Sequence, residues 1–379
     1  MAKETVKKTS SKKSASRKAE PTSGKRASTG KKGTSKKKKA KKKKRLVIFG
    51  VEIVAVLVLI IGFWVVSKLD TLQRPDVDSE EIQVNETIQE STVQTMSGYT
   101  TIALFGLDTR QAGQLGSGNR SDTIIIASIN NDTKEVKLVS VYRDTYLNLA
   151  NGKYNKCNGA YSAGGPEQAI SMLNMNLDLD IQYYVSVDFL GLTKTVDYLG
   201  GVEIDVDETE LEHLNNYIVE TSEVTGIETT ALTSAGLQTL DGVQATSYCR
   251  IRYTAGDDFK RTERQREVIL QLVSKAKETD ISTINDIINA VFPLIATNYT
   301  NEELVAMAPE LLTYDIVDTT GFPFDKVSAT VSGKGSCVIP VDLEENVRQL
   351  HEYLFNNSDY EPSNEVKEIA AQITEDTGY

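Results

Sequence analysis

Residues 100–108 (TTIALFGLD), 122–130 (DTIIIASIN) and 135–149 (EVKLVSVYRDTYLNL) are three β-branched runs, each bounded by Asn, Asp or Gly. Such runs read as strands. Their apolar stretches are nearly continuous, as in strands whose two faces are both covered. Residues 183–187 (YYVSV) and 202–206 (VEIDV) add two further strand candidates. Apolar residues recur at helical spacing in residues 166–177 (PEQAISMLNMNL), 188–200 (DFLGLTKTVDYLG) and 261–278 (RTERQREVILQLVSKAKE). Alternating strands and helices predict an α/β fold, a three-layer α-β-α domain with a central mixed sheet.

Outward from this core the pattern weakens. Residues 208–233 read as irregular, and residues 235–252 (AGLQTLDGVQATSYCRIR) as a helix running into an arginine pair. Helix candidates at 301–312 and 343–355 carry the domain to about residue 357. The expected catalytic domain is therefore 97–357, preceded by a polar, acidic stalk at 67–96 and followed by an acidic flexible tail at 358–379.

Charge divides the chain further. Residues 1–45 hold 20 of its 42 Lys and Arg with only Glu4 and Glu20 as acids, while the remainder holds 22 basic and 51 acidic residues. Residues 46–66 (LVIFGVEIVAVLVLIIGFWVV) separate the two, and this run of 21 residues, nearly all apolar with Glu52 the one charge, suffices for a membrane-spanning helix. The abutting lysines predict a cytoplasmic N-terminus and an extracytoplasmic domain. The run is too long for a cleaved leader and no A-x-A site follows, so it reads as a retained signal anchor in the cell membrane. The tail before it lacks apolar periodicity and reads as disordered. It suits anionic lipid or simple orientation of the anchor better than nucleic acid. A soluble cytosolic enzyme and a disulfide miniprotein are excluded.

Little conventional catalytic chemistry is available. His213 and His351 are the only histidines, both in acidic helical surroundings, which argues against a histidine triad or zinc site. The exported part has no nucleophile elbow and no P-loop, and Ser274-Lys277 matches S-x-x-K without its K-T-G partner. What remains is Asp and Arg where strands end. Asp108 closes one strand and Asp122 opens the next; Arg143 lies mid-strand or at a strand break in a third. Arg250 and Arg252 share a face if extended, and Asp258, Arg261 and Gln265 share one if helical. Two carboxylates beside Arg120, Arg143, Arg250, Arg252 and Arg261 suit a hard cation and a diphosphate. Each taken singly is more often a solvated surface charge.

These segments, in order, resemble the LytR-CpsA-Psr (LCP) family: GLDTR, GNRSDTIIIASIN, VKLVSVYRDTYL, KYNKCNGAYSAGGPEQAI, VDYLGGVEIDV, LDGVQATSYCRIR and DDFKRTERQREVI. The core motifs cover residues 101–270. The resemblance implies a membrane-anchored transferase that moves wall teichoic acid, capsule or a related glycopolymer from a polyprenyl-diphosphate carrier to peptidoglycan. It implies Asp108 and Asp122 as ligands of Mg²⁺ or Mn²⁺. Arg120, Arg143, Arg250, Arg252, Arg261 and Gln265 would bind the diphosphate, with Asp258 orienting arginines; catalysis would rest on Arg143, Asp258, Arg261 and Gln265. The polyprenyl chain would occupy an apolar pocket under the sheet, where Val185, Phe189, Leu192 and Val196 look no different from ordinary core. The loop between Asp108 and Asp122 is longer than the usual family spacing, and cysteines stand at 157 and 249 where many relatives carry aliphatic residues.

Three alternatives stay open at this point. A diphosphate hydrolase or a non-catalytic carrier binder would use the same residues, and a membrane-anchored regulator would use the basic tail. A nucleic-acid-binding globular domain is disfavoured, because this one is acidic. Cys157 and Cys249 lie in motifs expected to converge, on the oxidising side of a membrane, so a disulfide between them is an expectation, with Cys337 left free.

Overall fold

The computed structural model describes residues 62–75, 81–109, 111–252 and 257–379. The Lys-rich tail and all but the last five residues of the apolar run 46–66 lie outside them. No helix among the described residues is long and apolar enough to cross a membrane. The strands are β1 (Tyr99–Asp108), β2 (Arg120–Asn130), β3 (Glu135–Val141), β4 (Tyr146–Asn148), β5 (Tyr154–Lys156), β6 (Tyr183–Asp188), β7 (Val202–Val206), β8 (Gly236–Leu240), β9 (Ile295–Thr297), β10 (Asp315–Phe322), β11 (Lys326–Val331) and β12 (Gly335–Pro340). The helices are α1 (Glu90–Met96), α2 (Gly159–Leu177), α3 (Phe189–Tyr198), α4 (Glu208–Thr225), α5 (Gly242–Tyr248), α6 (Asp257–Glu278), α7 (Ile281–Val291), α8 (Asn301–Met307), α9 (Leu343–Phe355) and α10 (Asn364–Thr377).

The fold is mixed α/β, with helices around a six-stranded sheet ordered β10-β3-β2-β1-β6-β9. β1 pairs antiparallel with β2 and parallel with β6, and β3 pairs parallel with β10, so the sheet is mixed. Period-two alternation sorts β1 between two faces. Ala103, Phe105 and Leu107 enter the main core with Ile170 and Leu173 of α2, Leu350 of α9 and Ile369 of α10. Phe105 meets Tyr161 edge-on at 5.2 Å, the favoured aromatic geometry. On the other face, Ile102, Ile125 and Ile129 pack with Ile269 of α6 and Leu304 of α8. A separate apolar cluster joins α3, α4, α5 and the two-stranded β7–β8 sheet through Val196, Ile204, Leu214 and Val243.

Several expectations change. Residues 202–206 form the first strand of that small sheet, outside the central one, and its second strand is residues 236–240, so only 242–248 of the expected 235–252 helix is helical. The supposedly irregular 208–225 is a helix opened by a capping box, in which Asp207 accepts from Glu210 N and the Glu210 carboxylate accepts from Asp207 N. The helix expected at 301–312 ends at Met307. Residues 81–96 are no stalk: Ile82 and Met96 join the main core, and Asn85 donates to Asp178 at 2.5 Å. Nor is 358–379 a flexible tail. Val366, Ile369 and Ile373, three and four residues apart, bury one face of α10 in the main core.

Candidate active site

The site begins with an irregularity. β1 and β2 stay in register from Tyr99↔Asn130 to Gly106↔Thr123, and the next pair is Leu107↔Ser121, so Asp122 has no partner on β1. It is the extra residue of a β-bulge, which kinks the strand and re-aims a side chain. Both Asp122 and its neighbour Thr123 therefore line the same cavity, which strict alternation forbids. Gly106 permits this, because a Cβ there would stand 2.8 Å from Thr123 Cβ. Asp108, two residues on, lines the same cavity from the end of β1.

Arginines from three further segments converge here. Arg143, in the turn after β3, places Nη1 2.6 Å from Asp122 Oδ2. Arg261 of α6 and Arg252, in the stretch between α5 and α6, approach that oxygen at 3.5 and 3.9 Å. Asp258, one turn before Arg261, puts Oδ1 3.7, 3.7 and 3.6 Å from the Nε atoms of Arg143, Arg252 and Arg261. Arg261 Nη2 also donates to the Asp122 backbone carbonyl at 2.9 Å, satisfying the group that the bulge takes out of the ladder. Burial works against the Arg143 charge, but Asp122, Asp258 and Asp144 more than offset it and hold its pKa above the ordinary value. Burial, with Arg143 alongside, pulls Arg261 below it.

Arg120 lines the cavity from an exposed position at the start of β2. Gln265, one turn past Arg261, is buried and donates to the Cys249 carbonyl at 3.2 Å, while its Oε1 is buried without a hydrogen bond. Arg250 also lines the cavity, yet its ion pair is with Glu220 of α4 at 2.9 Å. The two arginines of Y-x-R-x-R thus serve different partners. The sequence also left three groups unassigned. Arg264 is buried in an ion pair with Glu210 at 2.8 Å, and a fully buried pair has no access to a ligand. Asp144 pairs with Lys156 at 3.3 Å, and burial raises its carboxyl above the usual range. Glu220 was hidden because α4 was read as irregular.

The cavity encloses about 590 Å³. Its lining combines a charged group, Asp108, Arg120, Asp122, Arg143, Arg252 and Arg261, with an apolar one, Leu104, Ile125, Val185, Phe189, Leu192, Ile269, Leu272 and Val291. Of the four apolar residues weighed from sequence, Val185, Phe189 and Leu192 line it, whereas Val196 belongs to the neighbouring core. Among the described residues no three His, Cys, Asp or Glu side chains cluster as metal ligands. Asp108 and Asp122 in one cavity still fit Mg²⁺, which takes one or two carboxylates and completes its shell with water and substrate phosphates.

The expected disulfide is absent. Cys157, Cys249 and Cys337 are free thiols. Cys157 sits in the main core, its Sγ 3.2 Å from the Tyr142 carbonyl, and Cys249 lies in the α3–α5 cluster across the sheet. Burial pushes the Cys249 thiol up to about 12, leaving it inert. His351 is buried, with Nε2 2.9 Å from the Leu177 carbonyl, away from the cavity.

The model of the LytR_cpsA_psr family matches residues 66–349. A protein of Enterococcus faecalis named polyisoprenyl-teichoic acid–peptidoglycan teichoic acid transferase TagU is 32% identical over 296 residues, covering 74% of this chain and 89% of the relative. One of the same name in Bacillus cereus is 28% identical over 246 residues, 64% of this chain and 73% of its own. A crystal structure of a Streptococcus agalactiae protein shares the fold with a TM-score of 0.56 at 22% identity, covering 74% of this chain and 93% of that one.

Proposed function

The chain belongs to the LytR_cpsA_psr family, and on that premise we propose that it is a phosphotransferase moving a glycopolymer, teichoic acid, capsule or similar, from a polyprenyl-diphosphate carrier to peptidoglycan. One observation carries the reading: a single cavity is lined both by the arginine cluster and by apolar side chains. That division matches an amphipathic donor, with the diphosphate at the arginines and the prenyl chain against the apolar lining.

In this reading an acceptor hydroxyl of peptidoglycan attacks the phosphorus that carries the glycan. A new P–O bond forms, the bond to the second phosphate breaks, and polyprenyl phosphate leaves. Such transfer depends on positioning and charge neutralisation more than on covalent chemistry. Arg143, Arg252 and Arg261 supply both: their planar forks bind phosphate oxygens and keep their charge. Asp258 holds the three Nε edges together, and Gln265 supports the turn bearing Cys249. Asp108 and Asp122 would hold Mg²⁺ or Mn²⁺, which adds Lewis-acid stabilisation of the charge building on the phosphoryl oxygens. Asp122 and Asp108 are the nearest candidates to take up the hydroxyl proton, although the metal-ligand role explains both better.

The reading includes membrane attachment through residues 46–66, a cytoplasmic N-terminus and an extracytoplasmic catalytic domain. The charge step across the apolar run supports it, as do Phe63 and Trp64 at the end of that run, 77% and 46% exposed. The test is incubation of the full chain in detergent with a synthetic polyprenyl-diphosphate glycan, Mg²⁺ and peptidoglycan oligomers, followed by mass spectrometry. Acceptor-linked glycan phosphate supports transfer. Release of glycan phosphate without acceptor indicates a hydrolase, and binding without product indicates a carrier binder.

A further inference from the structure

We propose that Glu220 is a positioning residue that fixes the Arg250 guanidinium in the cavity wall, between the arginine cluster's ligand and the apolar lining. Tyr217, Glu220 and Thr221 stand three and four residues apart, so one face of α4 presents all three together. Glu220 Oε2 takes the Arg250 Nη2 hydrogen bond at 2.9 Å, and Thr221 Oγ1 takes that of Nη1 at 2.9 Å. The ring of Phe189, the first residue of α3, lies 4.5 Å from the guanidinium carbon, and that of Tyr217 lies 5.3 Å from it. Both terminal nitrogens are thus pinned, and two aromatic rings flank the group.

This arrangement separates Arg250 from the other arginines. Arg143, Arg252 and Arg261 each pair with both Asp122 and Asp258, and Arg143 also with Asp144, whereas the Arg250 side chain, 12% exposed, is paired with Glu220. A cation beside Phe189 and Leu192 is costly unless a counter-charge accompanies it. Glu220 provides that charge, and its own side chain, 39% exposed, also lines the cavity. A guanidinium already fixed loses little further freedom when a ligand arrives, so the effect falls on affinity. The inference rests on the proposed function and deepens it: Arg250, held by Glu220, meets the carrier where its diphosphate joins the prenyl chain.

The test uses the full chain in detergent and a synthetic polyprenyl diphosphate without glycan, with binding followed by native mass spectrometry. Glu220→Ala should raise Kd about tenfold, and Glu220→Gln, which keeps an acceptor oxygen without the charge, should fall between the two. In the transfer assay KM should rise in step while kcat stays within about twofold, as loss of binding common to ground and transition states requires. In an Arg250→Met background Glu220→Ala should have no further effect, because the pair acts as a unit. Wild-type binding left unaltered by Glu220→Ala, kcat falling as steeply as KM rises, or additive effects with Arg250→Met would each overturn this inference alone. A wild-type chain that binds no polyprenyl diphosphate would overturn the proposed function as well.

Discussion

Asp122 Oδ2 and Asp258 Oδ1 hold the same three arginines between them: Arg143, Arg252 and Arg261 each lie within 4 Å of both oxygens. Two carboxylates thus serve three cations, and Asp144 adds a third carboxylate 3.8 Å from Arg143 Nε. Arg143 Nε, Arg261 Nε and Asp258 Oδ1 are moreover buried without hydrogen bonds, so the cage is charge-paired but incompletely satisfied. Buried polar atoms rarely stay so unless a function uses them. A diphosphate would supply further acceptor oxygens to the guanidinium groups.

The first prediction concerns Asp122. Asp122→Asn keeps the side-chain volume at the bulge but removes the charge that balances three arginines and would hold a metal. Its kcat for transfer should fall about 10²–10³-fold, the usual loss when one preorganised electrostatic contact goes. Chelation with EDTA should reduce wild-type activity in the same assay. Full activity in the variant, or in EDTA, removes Asp122 from the metal reading.

The second concerns the arginine forks. Arg252 reaches Asp122 through Nη2 and Asp258 through Nε, a span that a lysine ammonium lacks. Arg252→Lys should weaken polyprenyl-diphosphate binding about tenfold or more, with little change in melting temperature. Arg261→Lys should weaken binding and also destabilise the fold, because the Asp122 carbonyl loses its donor, at a cost of about 1–3 kcal/mol in urea unfolding. Equal stability of the two variants would separate Arg261 from the bulge.

Which parts of this were legible in sequence follows from the physics of each element. β1, β2 and β3 could be read because strands buried on both faces are apolar almost throughout, and the D-x-x-R-x-x-R-Q face could be read because helical spacing dictates it. The bulge was not legible: no residue type marks Asp122 as the extra residue, although Gly106 opposite Thr123 is a trace of it. Helix α4 was missed because its signal lay in the capping box at Asp207 and Glu210 while its composition is polar and acidic, and with it went Glu220. The partition of Arg250 and Arg252 depends on a turn, since Arg250 N bonds the Ser247 carbonyl at 3.0 Å where extended backbone was expected.

The third prediction follows from the C-terminal helix. Truncation after residue 357 removes Val366, Ile369 and Ile373 from the core, together with Tyr360 and Ser363, which donate to the buried Asp178. Each buried aliphatic contributes about 1.5–3 kcal/mol, and the total approaches the whole stability of an ordinary domain. The truncated chain should be degraded by limited proteolysis under conditions in which the full chain persists. Equal resistance would mean that α10 is dispensable.

The last prediction is a pH dependence seated in the same corner. His351 is buried, its ring stacked on Tyr360 at 3.7 Å between centroids and its Nε2 2.9 Å from the Leu177 carbonyl. Burial lowers its pKa to about 4, against an ordinary value of 6.5, despite the raising effects of the Leu177 carbonyl and Asp178. The native state therefore keeps the imidazole neutral, while the unfolded chain takes up a proton as pH falls through about 6.5. The stability this supplies is fully present above that pH and is lost as pH falls toward about 4. The slope is up to about 1.4 kcal/mol per pH unit for a single proton, and the total is about 3 kcal/mol. Carboxylates also weaken the fold in acid, so the readout is the difference between two chains. His351→Gln should be the less stable near neutrality, and the gap in urea unfolding should narrow between pH of about 7.5 and about 4.5. Parallel pH profiles for the two chains would show that His351 does not titrate with unfolding.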